Sequence, residues 1–341
     1  MNYARSAWYA AAWSAEVSSK PISRILLGDS VLLARKSDGQ AVALGNRCPH
    51  RFAPLHLGRL SSDSIQCAYH GLRFNFSGAC VANPTSQGAI PHHARIAAYP
   101  ISERNGLIWI WMGEAKQSDL QLLADFSGLD DPTRRHARGG YLHVKANYQL
   151  LVDNLLDLSH IPFLHPQFGT GDMAQGKIEI TEHGNVMRVD RFMHDVEAPE
   201  YLRHAAAPNG RIDHWLDMRL HMPSSMLLTA GASKPGQGRI GAGTTLACHI
   251  VTPETHNTSH YFFSISQEAG TCTEEEIAEL HEAQKRIFSA EDVPMLEGCQ
   301  LLMGTTDLWA LNPVLLPTDV GPVRARKWLE QMIHNETVSH A

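Results

Sequence analysis

The hydrophobic and polar positions change rhythm several times along this chain. From Ser30 to Leu44 the segment SVLLARKSDGQAVAL alternates and breaks at Asp38-Gly39, which predicts two strands joined by a tight turn. LIWIWMG, Leu107 to Gly113, reads as a strand that closes a small all-β domain, its two tryptophans either core residues or a shield for the domain's cysteine–histidine site. Between Gly113 and Gly140 the pattern dissolves into a polar, turn-rich stretch. We therefore read a first domain over 1–118, a linker over 119–139 and a second domain over 140–341. YLHVKANYQ, Tyr141 to Gln149, predicts a strand. Leu150 to His165, LLVDNLLDLSHIPFLH, has the dense apolar pattern of a buried helix. That helix should end at Ile161, because Pro162 disfavours helical geometry in the residue before it.

Alternation returns from Lys177 in KIEITE, VMRVDRFM, DMRLHMP, SMLLTAGA, TTLACHIVTP and SHYFFSISQ, which predicts an antiparallel sheet. Thr273 to Phe288 reads as a helix with an acidic start and a stripe of Ile277, Leu280, Ile287 and Phe288. Gly321 to His334 reads as a last helix. A sheet with helices on one face gives an α+β domain.

Composition narrows the class. A chain of 341 residues, 43% hydrophobic, suits about two globular domains. A net charge of -6 and a pI near 6.4 argue against nucleic-acid binding. No apolar run approaches the ~18 residues of a membrane span. The segment MNYARSAWYAAAWSAEV lacks a basic start and is interrupted by Glu16, so it reads as the first packed segment of a cytoplasmic protein. Six cysteines in so long a chain do not make a disulfide framework, and the sequons at Asn75, Asn257 and Asn335 are then incidental.

Two motifs carry chemistry. Cys48-Pro-His50 and Cys67-Ala-Tyr-His70 form C-x-H and C-x2-H pairs, each inside a tight loop. Two such loops can close on a [2Fe-2S] cluster, with two thiolates on one iron and two imidazoles on the other, which raises the reduction potential. Structural zinc sites space paired ligands by two to four residues, so C-x-H fits them poorly. Gly71 and the Asn75–Gly78 turn supply the geometry, and Cys80 reads as a small buried thiol. The second motif is the helix at Leu150–His165, which sets Asp153, Asn154, Asp157, His160 and His165 among leucines. Buried polar groups need partners, and two histidines with a carboxylate around an iron leave positions open for O2. The third ligand is a carboxylate from among Asp153, Asp157, Glu291, Asp292 and Glu297; spacing alone does not choose.

CPHRFAPLHLG…CAYHGLRFN followed by NLLDLSHIPFLH resembles the terminal oxygenase component of Rieske non-haem iron aromatic oxygenases. Within them it is most similar to the branch containing vanillate and dicamba O-demethylases and toluenesulfonate methyl-monooxygenase. The resemblance runs from NYARSAWYAAAW through HIVTPET to the last helix. It implies a helix-grip-like catalytic domain holding mononuclear Fe(II) and a homotrimer. It also implies a separate reductase, with or without a ferredoxin, that passes on electrons from NAD(P)H. EDVPMLE matches the segment whose aspartate completes the iron triad, which points to Asp292, with a kink expected at Pro294. The resemblance gives Asp157 the role of bridging a cluster histidine, His70, to His160 of a neighbouring subunit, and places Asn154 beside the iron. It places His249 at a position that contacts acidic substrate in some relatives, the alternative being an ordinary hydrogen-bonded strand histidine; by alternation Tyr261 and Phe263 line the same pocket or are core.

The activity implied is hydroxylation of a methoxy or methyl carbon of an aromatic acid by O2. Ring hydroxylation and a pure electron-transfer protein are the alternatives. A carrier needs only about the first 120 residues, and the His160/His165 pair argues against it. Gly236-Gln-Gly-Arg-Ile-Gly241 fits G-x-G-x-x-G, but Pro235 precedes it and a strand follows, so it reads as a plain loop. No flavin or nicotinamide site is visible, which is why a reductase is expected.

Overall fold

In a computed structural model of the chain, residues 3–61, 63–169, 171, 174, 176–239 and 244–339 are described. The chain divides into two compact units, one of Arg5–Gln121 with Thr252–Thr255, the other of Met1–Ala4, Leu122–Val251 and His256–Ala341.

The first unit is all β. Its strands are β1 (Trp8–Trp13), β2 (Ile22–Leu26), β3 (Asp29–Arg35), β4 (Ala41–Gly45), β5 (Arg59–Leu60), β6 (Ser64–Gln66), β7 (Arg73–Asn75), β8 (Cys80–Ala82), β9 (Ala98–Tyr99), β10 (Ile101–Arg104) and β11 (Leu107–Trp111). They form three sheets, ordered β1-β11-β10, β2-β3-β4-β9 and β5-β6-β7-β8. Every residue of β1 is buried, so the apolar amino-terminal segment is core, and Trp109 and Trp111 lie beside it on β11. The turn between β3 and β4 runs through Gly39 at φ +83°.

The second unit is built on a seven-stranded sheet. Its strands are β12 (Arg134–Val144), β13 (Lys177–His183), β14 (Val186–Glu197), β15 (Arg211–His221), β16 (Ser225–Ser233), β17 (Thr244–Thr255) and β18 (Thr258–Glu268), in the order β12-β18-β17-β16-β15-β14-β13. The strand expected over Tyr141–Gln149 differs. It opens at Arg134, inside the stretch read as linker, and stops at Val144. Tyr148 and Gln149 already belong to a helix, because the Asn147 side chain accepts from Gln149 N at 3.0 Å and turns the chain into it. Gly140 is required on this strand, since a Cβ there would stand 2.3 Å from Phe263 Cε2.

The metal-motif helix also differs from expectation. Helix α1 (Tyr148–Leu156) ends at Leu156, not Ile161. Asp157 leaves helical geometry at φ -107°, ψ 89° and caps a following 3-10 turn, Leu158–His160. A short α2 (Ile161–Leu164) then begins, with Pro162 in its first turn, where a missing N–H costs nothing. Ile161 is helical despite preceding the proline. The prediction took Pro162 for a stop signal, whereas the capping aspartate ends the helix.

Helix α3 (Glu274–Ile287) starts at Thr273 with a capping box to Glu276, close to expectation. The expected break at Pro294 is a π-helical turn, Phe288–Asp292, running directly into α4 (Val293–Met303). Pro294 lies in the first turn of α4, where the preceding wide turn absorbs the lost hydrogen bond. Helix α5 (Val320–Ser339) is longer at both ends than expected. Leu216, Met218 and Leu220 alternate on β15 and join Leu151 and Leu155 of α1 and Ala325 and Leu329 of α5 in one core. No helix among the described residues is long and apolar enough to cross a membrane. Ile240 and Gly241 of the glycine-rich stretch lie outside the described residues.

Candidate active site

Two matching loops in the first unit hold the cysteine–histidine pairs. In one, Phe52 N donates to Cys48 O at 2.9 Å; in the other, Gly71 N donates to Cys67 O at 3.0 Å. Both closing residues have positive φ, Phe52 at +59° and Gly71 at +75°. The second loop continues into β7 and the Asn75–Gly78 turn, whose Asn75 Oδ1 accepts from Ala79 N at 2.9 Å. Cys48 and Cys67 are buried and unpaired, while the His50 and His70 rings stand 4.5 Å apart nearer the surface. Burial pushes the Cys48 thiol up. Cys80 is half-buried, its Sγ 3.6 Å from Ala82 O, and packs behind this group.

In the second unit, one ligand atom each from His160, His165 and Asp292 lies within 4.8 Å of the others. The 3-10 turn carries His160, His165 caps the C-terminal end of α2, and the π turn carries the aspartate. The partners behind the rings fix which nitrogens face the centre. His160 Nδ1 donates to the Asp157 backbone carbonyl at 2.7 Å, and His165 Nδ1 donates to Glu291 Oε2 at 2.6 Å. Both Nε2 atoms therefore turn toward Asp292 Oδ1, at 3.7 Å from His160 and 3.2 Å from His165. Asn154 Nδ2 donates to the same oxygen at 3.2 Å. Asp292 Oδ2 is buried without any partner among the described residues. Burial lowers the His160 pKa. On His165 burial acts the same way but is outweighed by its two carboxylate neighbours, which raise it.

The fold sorts the other candidate carboxylates by partner. Asp153 is gripped by Arg326 of α5, with Nη2 at 2.6 Å and Nε at 2.9 Å from its Oδ2. Asp157 accepts from Ser159 N at 3.0 Å, Ser159 Oγ at 2.8 Å and Arg191 Nη2 at 3.0 Å. Its carboxylate does not meet the His160 ring as expected, because the helix has already ended and the carbonyl takes that place. Glu297 accepts from Lys145 N at 2.9 Å. Glu291 stands behind His165, a supporting role that sequence reading missed; its place beside Asp292 was the available signal.

A cavity of about 260 Å³ opens on this centre, mostly apolar, with Asn154, His160, His165 and Asp292 at one end. His249 lines it, its Nδ1 2.7 Å from Tyr261 Oη, and burial pulls its pKa down to about 4. Tyr261 and Phe263 are core behind it. His214, unremarked in the sequence, lines the cavity too. No lysine or arginine lines it among the described residues.

The profile of the Rieske [2Fe-2S] domain matches residues 7–100, and that of the vanillate O-demethylase oxygenase C-terminal domain matches residues 144–335, more than half of the chain. The chain belongs to this family of Rieske oxygenase components. The oxygenase is 35% identical over 338 residues to a dicamba O-demethylase oxygenase component from Stenotrophomonas maltophilia, covering 97% of this chain and 98% of the other. It is 34% identical to the chloroacetanilide N-alkylformylase oxygenase component of Rhizorhabdus wittichii, covering 98% and 97%. A crystal structure of dicamba monooxygenase bound to 3,6-dichlorosalicylic acid superposes with a TM-score of 0.90 at 33% identity, over 99% of each chain. As an oxygenase component it takes a [2Fe-2S] cluster and a mononuclear iron, uses O2 and depends on a separate reductase for NAD(P)H electrons. The donors present fit both groups: two thiols with two imidazoles in one unit, two Nε2 atoms facing Asp292 with an orphaned carboxylate oxygen in the other.

Proposed function

We propose that this oxygenase hydroxylates a methyl or methoxy carbon of an aromatic compound bound in the apolar cavity beside His160, His165 and Asp292. In the O-demethylating case, O2, two electrons and two protons turn the methoxy group into a hydroxymethoxy group and water. That hemiacetal loses formaldehyde and leaves a phenol. When bound, the cluster supplies electrons singly and the mononuclear iron supplies O2 activation. Cys48, His50, Cys67 and His70 would hold the first, and His160, His165 and Asp292 the second. This chain's residues do the rest: Glu291 and the Asp157 carbonyl hold the imidazoles in one tautomer, Asn154 steadies Asp292, and the leucine-rich walls exclude water.

The observation that carries the reading is the N,N,O donor set at the end of an aromatic-sized cavity. Formaldehyde trapped after a single turnover of pre-reduced protein with methoxy-aromatics tests it. Release in wild type and its loss in His160→Ala, with the cluster's visible absorption retained, is expected. Equal release from the variant would refute the assignment.

We further propose a homotrimer in which Asp157 faces His70 of a neighbouring subunit, in a reducing cytoplasm that suits six free cysteines. In support, the Asp157 side chain is 17% exposed and His160 24%, while His70 is half-buried and so partly open to a neighbour. Mixing a His70→Ala chain with an Asp157→Ala chain should restore turnover that neither has alone.

A further inference from the structure

Away from the end formed by His160, His165 and Asp292 the cavity's polar groups are uncharged side chains, and two of them, on His214 and Gln284, have an atom with no partner among the described residues. His214 on β15 is 1% exposed. Its Nδ1 lies 2.7 Å from the carbonyl of Gly231 on β16. A carbonyl only accepts, so Nδ1 carries the proton, and Nε2 is left as an acceptor. That Nε2 is buried with no partner among the described residues, in a side chain that lines the cavity. Burial pulls the His214 pKa down to about 4, which keeps the ring neutral at physiological pH. Gln284 of α3 lines the same space, and its Oε1 is likewise buried and unmet.

Charge points the same way. Asp292 supplies the formal charge among the described lining residues. Segments 170–175 and 240–243, partly outside the described residues, contain no lysine or arginine. The two positive charges of a bound ferrous ion are matched by Asp292 and by Glu291 behind His165. A buried substrate carboxylate would therefore meet no unbalanced cation here, and it would leave the unmet acceptors on His214 and Gln284 without a donor.

Taking the cavity as the substrate site assigned above, we propose that it selects an uncharged aromatic substrate bearing a hydrogen-bond donor, a phenolic hydroxyl or an amide N–H, which donates to His214 Nε2. Gln284 meets a second polar atom of the same group. This narrows the class of substrate away from the aromatic acids implied by resemblance.

Three ligands of one shape separate charge from donor: 3-methoxybenzamide, 3-methoxyacetophenone and 3-methoxybenzoate. Their binding to anaerobic, iron-loaded enzyme at pH 7.5 is measured by calorimetry. The benzamide should bind about tenfold or more tightly than the ketone, because the ketone leaves the acceptor unmet, and the benzoate should bind most weakly. His214→Phe should bring the benzamide to the level of the ketone while the ketone changes by less than about twofold, and His214→Gln should restore part of the preference. Benzoate binding as tightly as the benzamide overturns the proposal. So does an equal loss for all three ligands in His214→Phe, or no measurable benzamide binding. If the variants lose their cluster absorption, the wild-type ranking alone decides. The expected ranking without formaldehyde release from the benzamide would leave this selectivity standing and defeat the demethylating reaction.

Discussion

Glu291 gives the sharpest test of how the iron centre is held. Its carboxylate accepts from His165 Nδ1 at 2.6 Å, and Gln167 Nε2 lies 3.3 Å from both of its oxygens. In Glu291→Gln the amide oxygen can still accept from Nδ1, so the tautomer survives, but the charge that strengthens the bond and raises the basicity of Nε2 is gone. A charge-assisted hydrogen bond exceeds a neutral one by about 1 kcal/mol, less here because the Glu291 side chain is 31% exposed. Glu291→Ala removes the acceptor and leaves Nδ1 of a nearly buried imidazole unmet. Loss of such a supporting partner weakens metal binding by about 10- to 100-fold, or ~1.4 to 2.7 kcal/mol. The expected order of iron affinity is wild type, then Gln at a loss of about fivefold, then Ala at the larger figure. Anaerobic competition with a ferrous chelator reads this directly, with the cluster's visible spectrum as an internal control for folding. Iron affinity in Glu291→Ala within twofold of wild type, or a Gln variant weaker than the Ala variant, would refute the reasoning.

Arg326→Met should destabilise the second unit by about 3 kcal/mol, because Asp153 is left semi-buried without its cation, and Asp153→Leu in the same chain should recover most of the loss in a urea titration. Gly71→Ala should lower cluster content per chain, since a side chain at φ +75° costs ~1–2 kcal/mol and its Cβ would meet Pro84 Cγ at 2.7 Å; visible absorption per mole of protein measures it. His214 and His249 have pKa values pulled down to about 4 by burial, against an ordinary 6.5, so the unfolded chain takes up protons first as pH falls. The stability they confer is complete above pH 6.5 and drains away toward pH 4, by about 3 kcal/mol each. Melting followed by calorimetry from pH 7.5 to 5 should show a shallower fall in His214→Phe than in wild type; parallel curves would count against the burial argument.

Most strands were legible in the sequence, because alternation is a local consequence of a sheet with one packed face. The cluster loops were legible for another reason: two thiols and two imidazoles at close spacing have few other uses. Asp292 was legible only through the resemblance of EDVPMLE and not through spacing, because choosing it by spacing meant knowing that Asp153 has Arg326, Asp157 has Arg191 and Ser159, and Glu297 has the Lys145 N–H. Those partners come from distant segments that no local pattern connects. The break at Asp157 was hidden by an apolar run that continues past it, and His214 looked like any histidine on a strand.

The π turn at Phe288–Asp292 has a consequence for how this centre tolerates change. It places two consecutive acidic residues at opposite nitrogens of one imidazole, Glu291 at Nδ1 and Asp292 at Nε2 of His165. Such a turn is a helix with one residue too many. Deleting a single residue from it would restore a regular coil and swing everything downstream by about 100°. The metal ligand and its support would be displaced together, so this short stretch is intolerant of length change even where it would accept a change of side chain.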